Sequence, residues 1–116
     1  EMPHFIYLTL SKDELDFAKE PYDASPLESK EKAIADFNKG LVEAIEILKT
    51  TSDEELMKPW SMRNGDDIYF TLPKIAVLRT FCMTHLYHHR GQLSVYLRLN
   101  DVSLPGIIGP SADEMK

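Results

Sequence analysis

His85 and His89 stand four residues apart in the run HLYHHRGQLSVYLRL, His85 to Leu99. On a helix each residue turns the side chain by about 100° and rises about 1.5 Å, so the two imidazoles fall about 40° apart and about 6 Å along one face. Two neutral ring nitrogens placed in this way can offer lone pairs to one divalent cation. The same face carries Leu78 and Cys82 before the pair and Gln92 and Tyr96 after it, all within about 60° of His85. The pair is therefore expected to interrupt a core stripe, where an unpartnered ring nitrogen costs about 1 to 3 kcal/mol. A shared metal would satisfy both rings at once. Two core histidines, each bonded to a carbonyl, explain the spacing equally well, because HxxxH supplies two ligands where zinc takes three or four. His88 leaves a second geometry open: it follows His85 by three residues, about 60° to the other side, and His85 with His88 is also a possible pair. His89 is preferred because it lies nearer the middle of the stripe.

A long helix must carry these residues. Pro73 suits the start of a helix, and the pattern predicts one running to about Asn100, about 42 Å long. Gly91 in its middle costs about 1 kcal/mol against alanine, and fits the close approach of another helix better than that of a ligand. Upstream, Ile34, Phe37, Leu41, Ile45 and Leu48 recur at spacings of three and four among charged residues, which predicts an amphipathic helix from Pro26 to about Lys49. Ser25, Pro26 and Glu28 form a capping box for its start. Met2 to Leu10 reads as the end of a helix, and Ser11 to Ser25 as a connection with one turn around Asp13 to Ala18. Ser52 to Glu55 repeats the capping-box pattern and predicts a short turn. Asn64-Gly65, between Lys58 to Arg63 and Asp67 to Leu72, predicts a small β-hairpin with a type I′ turn. Trp60 and Phe70 could line a cleft, although packing of the hairpin on the helices accounts for them more cheaply. Val102 to Lys116 carries Pro105, Gly106, Gly109 and Pro110 and should be irregular, pinned by Leu104, Ile107 and Ile108.

The bulk properties bound the function. The 116 residues suffice for one domain over 1–116 and not for two ordinary ones. A formal net charge of −6 argues against nucleic acid as a partner. The one cysteine, Cys82, admits no intramolecular disulfide and suits a small core residue in a reducing compartment. No apolar run reaches the length of a membrane span, and no signal segment is visible. These features predict a cytoplasmic protein with no membrane partner. The chain opens on Glu1, and an apolar run from Phe5 to Leu10 follows without a cap, as expected of a chain cut from a longer one.

HLYHHRGQLSVYLRLNDVSLPG, followed by GPSADE, resembles the signature of the DinB (DNA-damage-inducible, DinB/YfiT-like) family of metalloenzymes. The likeness extends to TLSKDELDFA from Thr9, to SDEELMKPWSMRNGDD before and through the hairpin turn, and to FTLPKIAVLRTFCMTH leading into the histidines. The resemblance implies an all-α, four-helix up-and-down bundle, here lacking its first helix, with the small hairpin before the last long helix. It also implies a divalent metal ion, zinc or nickel, held by three histidines, two of which map onto His85 and His89. The third would fall upstream of residue 1. His4 lies a few residues past that position and on another face, and a partner chain, water or a bound anion are alternative ways to complete the site.

Family members with an assigned activity are metal-dependent hydrolases or thiol S-transferases that act on small-molecule thiols, and the resemblance implies one of these for this chain. A metal with an open position lowers the pKa of a bound water or thiol, which serves both reactions. Gln92 could hydrogen-bond a ligand imidazole or the bound species, and His88 could relay a proton, although a structural or solvated role explains each. Arg90 could steer an anion, against the plainer expectation of a surface salt bridge to the helix over 26–49. The rival from another class is a non-catalytic module with a structural metal or none, which dimerises. A homodimer is expected in either case, because a shortened bundle leaves an apolar seam exposed.

Overall fold

A computed structural model describes residues 2–23, 26 and 28–115, in two compact units, Glu1–Met83 and Thr84–Lys116. The first unit runs α1 (Met2–Ser11), β1 (Glu14–Asp16), α2 (Lys30–Thr50), α3 (Asp53–Leu56), β2 (Pro59–Asn64), β3 (Asp67–Pro73), α4 (Lys74–Val77) and a π-helical stretch over Leu78–Met83. Among the described residues no helix is long and apolar enough to cross a membrane.

The fold mixes helix and sheet and is not the all-α four-helix bundle expected from the resemblance. The difference arises in the segment read as a connection. Glu14, Leu15 and Asp16 pair in parallel with Ser61, Met62 and Arg63, so the hairpin of β2 and β3 becomes a three-stranded sheet of order β1-β2-β3. Alternation along β2 turns Trp60 and Met62 inward, and with Leu15 and Val77 they form one buried cluster. A second cluster joins Leu10, Leu78 and Cys82. Phe5 and Phe81, 5.1 Å apart between ring centroids, touch both clusters and connect them. The core thus lies between sheet and helices.

Asp16 is the fastening of this sheet. Its Oδ1 accepts the N–H of Gly65 at 2.9 Å and that of Ala18 at 3.0 Å. The Gly65 N–H, followed by the amide of Ala18 and the nearby Lys19 ammonium, holds the buried carboxyl below its usual range against the opposing effect of burial. The hairpin forms where Asn-Gly predicts it, but the turn is not type I′. Asn64 pairs with Asp67, so Gly65 and Asp66 are its central residues, and of these only Gly65 has a positive φ, 59°. One extra residue on β3, Tyr69, separates the pairs Met62 with Phe70 and Arg63 with Ile68.

Helix α2 starts later than the capping box suggests. Ser29 is its N-cap and accepts the Lys32 N–H at 3.1 Å; Ser25 lies outside the described residues. The close helix approach expected at Gly91 is found at Gly40 instead, where a Cβ would meet the backbone N of His4 in α1 at 3.3 Å. Ser52 caps α3 as expected, accepting the Glu55 N–H at 3.2 Å. The predicted continuous helix from Pro73 to Asn100 is divided into α4, the π-helical stretch and α5 (Thr84–Leu99).

The second unit consists of α5 and the segment after it. Helix α5 ends in a Schellman motif: the N–H of Val102 bonds to Leu97 O at 3.0 Å, that of Asp101 to Arg98 O at 3.1 Å, and Asp101 takes the left-handed φ of 57°. The tail is irregular as expected, yet polar groups pin it rather than isoleucines. Arg98 grips both carboxylate oxygens of Asp113 at 3.2 and 2.7 Å, and Asp113 also accepts the Leu104 N–H. Glu114 accepts the N–H groups of Gly106 and Ser111. Ile108 is 98% exposed and Ile107 is exposed as well.

Candidate functional site

Four side chains of α5 carry the candidate chemistry. The His85 and His89 rings lie 4.6 Å apart between centroids and are inclined by 27°, so the four-residue spacing brings them together. The His88 ring is 5.2 Å from His89 and 6.4 Å from His85, edge-on to each. Of the two geometric pairings, His85 with His89 is the closer and the more nearly face to face. Gln92 reaches back one turn, its Oε1 standing 3.0 Å from His89 Nδ1. An amide oxygen only accepts, so Nδ1 carries the hydrogen in this arrangement and Nε2 keeps its lone pair.

The surroundings differ from those inferred from periodicity. His85 is half-buried, whereas His88, His89, Gln92 and Tyr96 are exposed, and α5 has no buried residue. Leu78 and Cys82 are core residues of the first unit. Within α5 the histidine pair therefore lies on no buried stripe. The stretch over Leu78–Met83 is π-helical, and a count at 100° per residue does not carry across it.

The remaining residues singled out by sequence fall into place individually. His4 is on α1 in the first unit, its Nδ1 4.0 Å from Glu43 Oε2, and with Tyr7, Asp36, Lys39, Gly40 and Glu43 it lines a shallow groove between α1 and α2. Cys82 is buried beside Thr9, Sγ to Oγ1 3.9 Å, and burial raises its thiol pKa, which makes it a core residue and not a nucleophile. Trp60 is fully buried, so it packs the hairpin and lines no cleft. The contact found for Arg90 is with its own helix, the guanidinium carbon 5.2 Å from the centroid of the Tyr87 ring. At Gly91 a Cβ would meet nothing within 4 Å among the described residues.

A buried ammonium group lies elsewhere, at Lys74, which sequence reasoning did not single out. Its side chain is 1% exposed, and its ammonium meets Glu55 Oε1 at 2.6 Å, Asp13 Oδ1 at 3.1 Å and Leu10 O at 3.3 Å. The lysine within the apolar run LPKIAVL was the available signal. Glu55 also pairs with Lys58 at 2.6 Å, and the two ammonium groups, Lys58 first and Lys74 second, lower its carboxyl to about 2. This hub joins the end of α1 to α3 and α4. It is structural, since every charge in it is matched.

A divalent metal at α5 can be tested against the donors present. His85 and His89 offer two imidazoles on one helical turn, and Gln92 holds one of them in a ligating tautomer. Among the described residues no three His, Cys, Asp or Glu side chains cluster to hold an ion. The residues fit two positions of a metal site. A family model described as the DinB family matches residues 4–115. No curated protein and no solved structure matches the chain.

Proposed function

The chain belongs to the DinB family, and from that premise we propose that it is a metal-dependent enzyme of thiol S-transferase or hydrolase type, with His85 and His89 as two ligands of zinc or nickel. The observation that carries this reading is the stacked imidazole pair one turn apart, with Gln92 on Nδ1 of His89. When bound, the metal supplies a Lewis acid that lowers the pKa of a water or small-molecule thiol toward neutrality. His85 and His89 act as neutral donors. Gln92 fixes the tautomer and orientation of His89 by accepting its Nδ1–H. His88, with its ring 5.2 Å from that of His89, stands where it can take up a released proton. The exposure of His88, His89 and Gln92 leaves the face open to a small substrate. A catalytic zinc takes three protein ligands, so this reading requires a third donor from outside α5. The single buried thiol suits the reducing conditions of the cytoplasm.

One observation favours a second reading, a non-catalytic module with a structural metal or none: among the described residues no three His, Cys, Asp or Glu side chains cluster to hold an ion. Elemental analysis of the purified chain, with assays of thiol transfer and hydrolysis, separates the two. Stoichiometric zinc or nickel that disappears together with activity in both His85→Ala and His89→Ala supports the enzyme; metal without activity supports a structural site. A folded, metal-free protein supports the module.

A further inference from the structure

Asn64 is followed by a glycine, and that neighbour exposes its amide to reaction. Gly65 has no Cβ to obstruct its own nitrogen, so the nitrogen can reach the side-chain carbonyl carbon of Asn64 and close a five-membered ring. Asparagine counts among the thermolabile residues. The other asparagines, Asn38 and Asn100, precede Lys39 and Asp101, whose side chains crowd the same approach. Asn64 is exposed, so water has access to it.

Three contacts in the fold oppose the ring. The Gly65 N–H donates to Asp16 Oδ1 at 2.9 Å, its carbonyl accepts the Arg63 Nε–H at 2.7 Å, and Asn64 pairs with Asp67 at the end of the hairpin. Ring closure needs the Asn64 Cβ and the Gly65 nitrogen on the same side of the Cα–C bond, whereas the extended backbone of β2 turns them apart. It also needs the nitrogen to lose its proton. The Asp16 carboxylate opposes that loss, because its hydrogen bond would break and a second negative charge would form beside the first. Asp16 is also a poor base for the task, since the Gly65 N–H holds its carboxyl below the usual range.

We propose that Asn64 is a site of spontaneous deamidation that the Asp16 carboxylate, reaching across from β1, keeps closed while the sheet is intact. In the reaction the Gly65 nitrogen gives its proton to solvent and attacks Asn64 Cγ. The N–Cγ bond forms, the Cγ–Nδ2 bond breaks, and ammonia leaves with a proton from water. Water then opens the ring at either carbonyl and leaves aspartate or isoaspartate at position 64. Isoaspartate adds a carbon to the main chain and spoils the register with Asp67. Either product sets a new carboxylate beside Asp66 and Asp67. A chain whose sheet has opened is thereby marked by a covalent change that hinders closure.

Peptide mass spectrometry of the full chain at neutral pH tests this, with isoaspartate scored by enzymatic methylation and Asn38 and Asn100 as references. Asn64 should convert far more slowly in the folded chain than in urea. Loss of a hydrogen bond to a charged group should speed conversion in folded Asp16→Ala about 10- to 100-fold. Hydrogen exchange separates release of the contact from unfolding: the Gly65 amide should lose protection while that of Lys74, bonded to Lys58 O at 2.9 Å, keeps it. Asp16→Asn retains the shape without the charge and should convert at an intermediate rate; it decides the matter if Asp16→Ala does not fold. Conversion as fast in the folded wild type as in urea overturns the proposal, and so does a folded Asp16 variant that converts no faster than wild type.

Discussion

His89 Nδ1 and Gln92 Oε1 are 3.0 Å apart on successive turns of α5, and that contact selects the tautomer in which Nε2 is free to bind a metal. Partners of this kind are worth about 10- to 100-fold in metal affinity. Gln92→Leu removes the acceptor from an exposed position, so its zinc affinity, measured by competition with a chromophoric chelator, should fall by about that factor while the melting temperature stays put. Gln92→Glu keeps an acceptor and should retain binding. Unchanged affinity in Gln92→Leu would remove the glutamine from the site.

Lys74 supports the fold and not the chemistry. Breaking a buried ion pair by deleting one partner costs about 3 kcal/mol, so Lys74→Ala should lose stability of that order in urea unfolding. Lys74→Met should lose less, because an apolar chain of similar volume replaces a charge that the core must otherwise compensate, and Glu55 keeps Lys58. Equal losses in the two variants would show that the charge, not side-chain volume, is what the site needs.

The same hub sets an acid limit. Glu55 is held at about 2 against an ordinary value of 4.5, so on acidification the unfolded chain takes up its proton first. Stability from this group is therefore complete above about pH 4.5 and is lost as the pH falls towards about 2. Denaturation midpoints measured across that window should drop for wild type and drop less steeply for Glu55→Gln. Asp16, Asp113 and Glu114, also lowered by their hydrogen bonds, leave a residual slope in the variant.

Open space at Gly91 makes a simple test of α5. With no described residue within 4 Å of its Cβ position, Gly91→Ala should gain about 1 kcal/mol of helix stability, read as raised helicity and melting temperature, without change in metal content. A loss of stability would mean that something does lie against that position in solution.

Local chemistry was legible and long-range pairing was not. Asn64-Gly65 marked the hairpin and Ser52 marked α3, because a turn and a cap are decided by residues a few positions apart. β1 has only three residues, and their partners, Ser61 to Arg63, lie more than forty positions on, so nothing within Glu14 to Asp16 announces a strand. The apolar stripe of α2 was legible as a helix face, but periodicity does not say whether a neighbour covers it. The histidine pair was placed on one face correctly by the four-residue rule, since His85 and His89 both lie within α5. Counting from Leu78 and Cys82 was not legible in the same way, because the count runs through a π-helical stretch. Lys74 escaped notice because a buried lysine declares itself only through the carboxylates that reach it.

X-ray absorption of the chain loaded with zinc tests the central claim most directly. The account predicts imidazole scattering from at least two nitrogens at about 2.0 to 2.1 Å, reduced in both His85→Ala and His89→Ala. A shell without imidazole, or one that both substitutions leave intact, would contradict it.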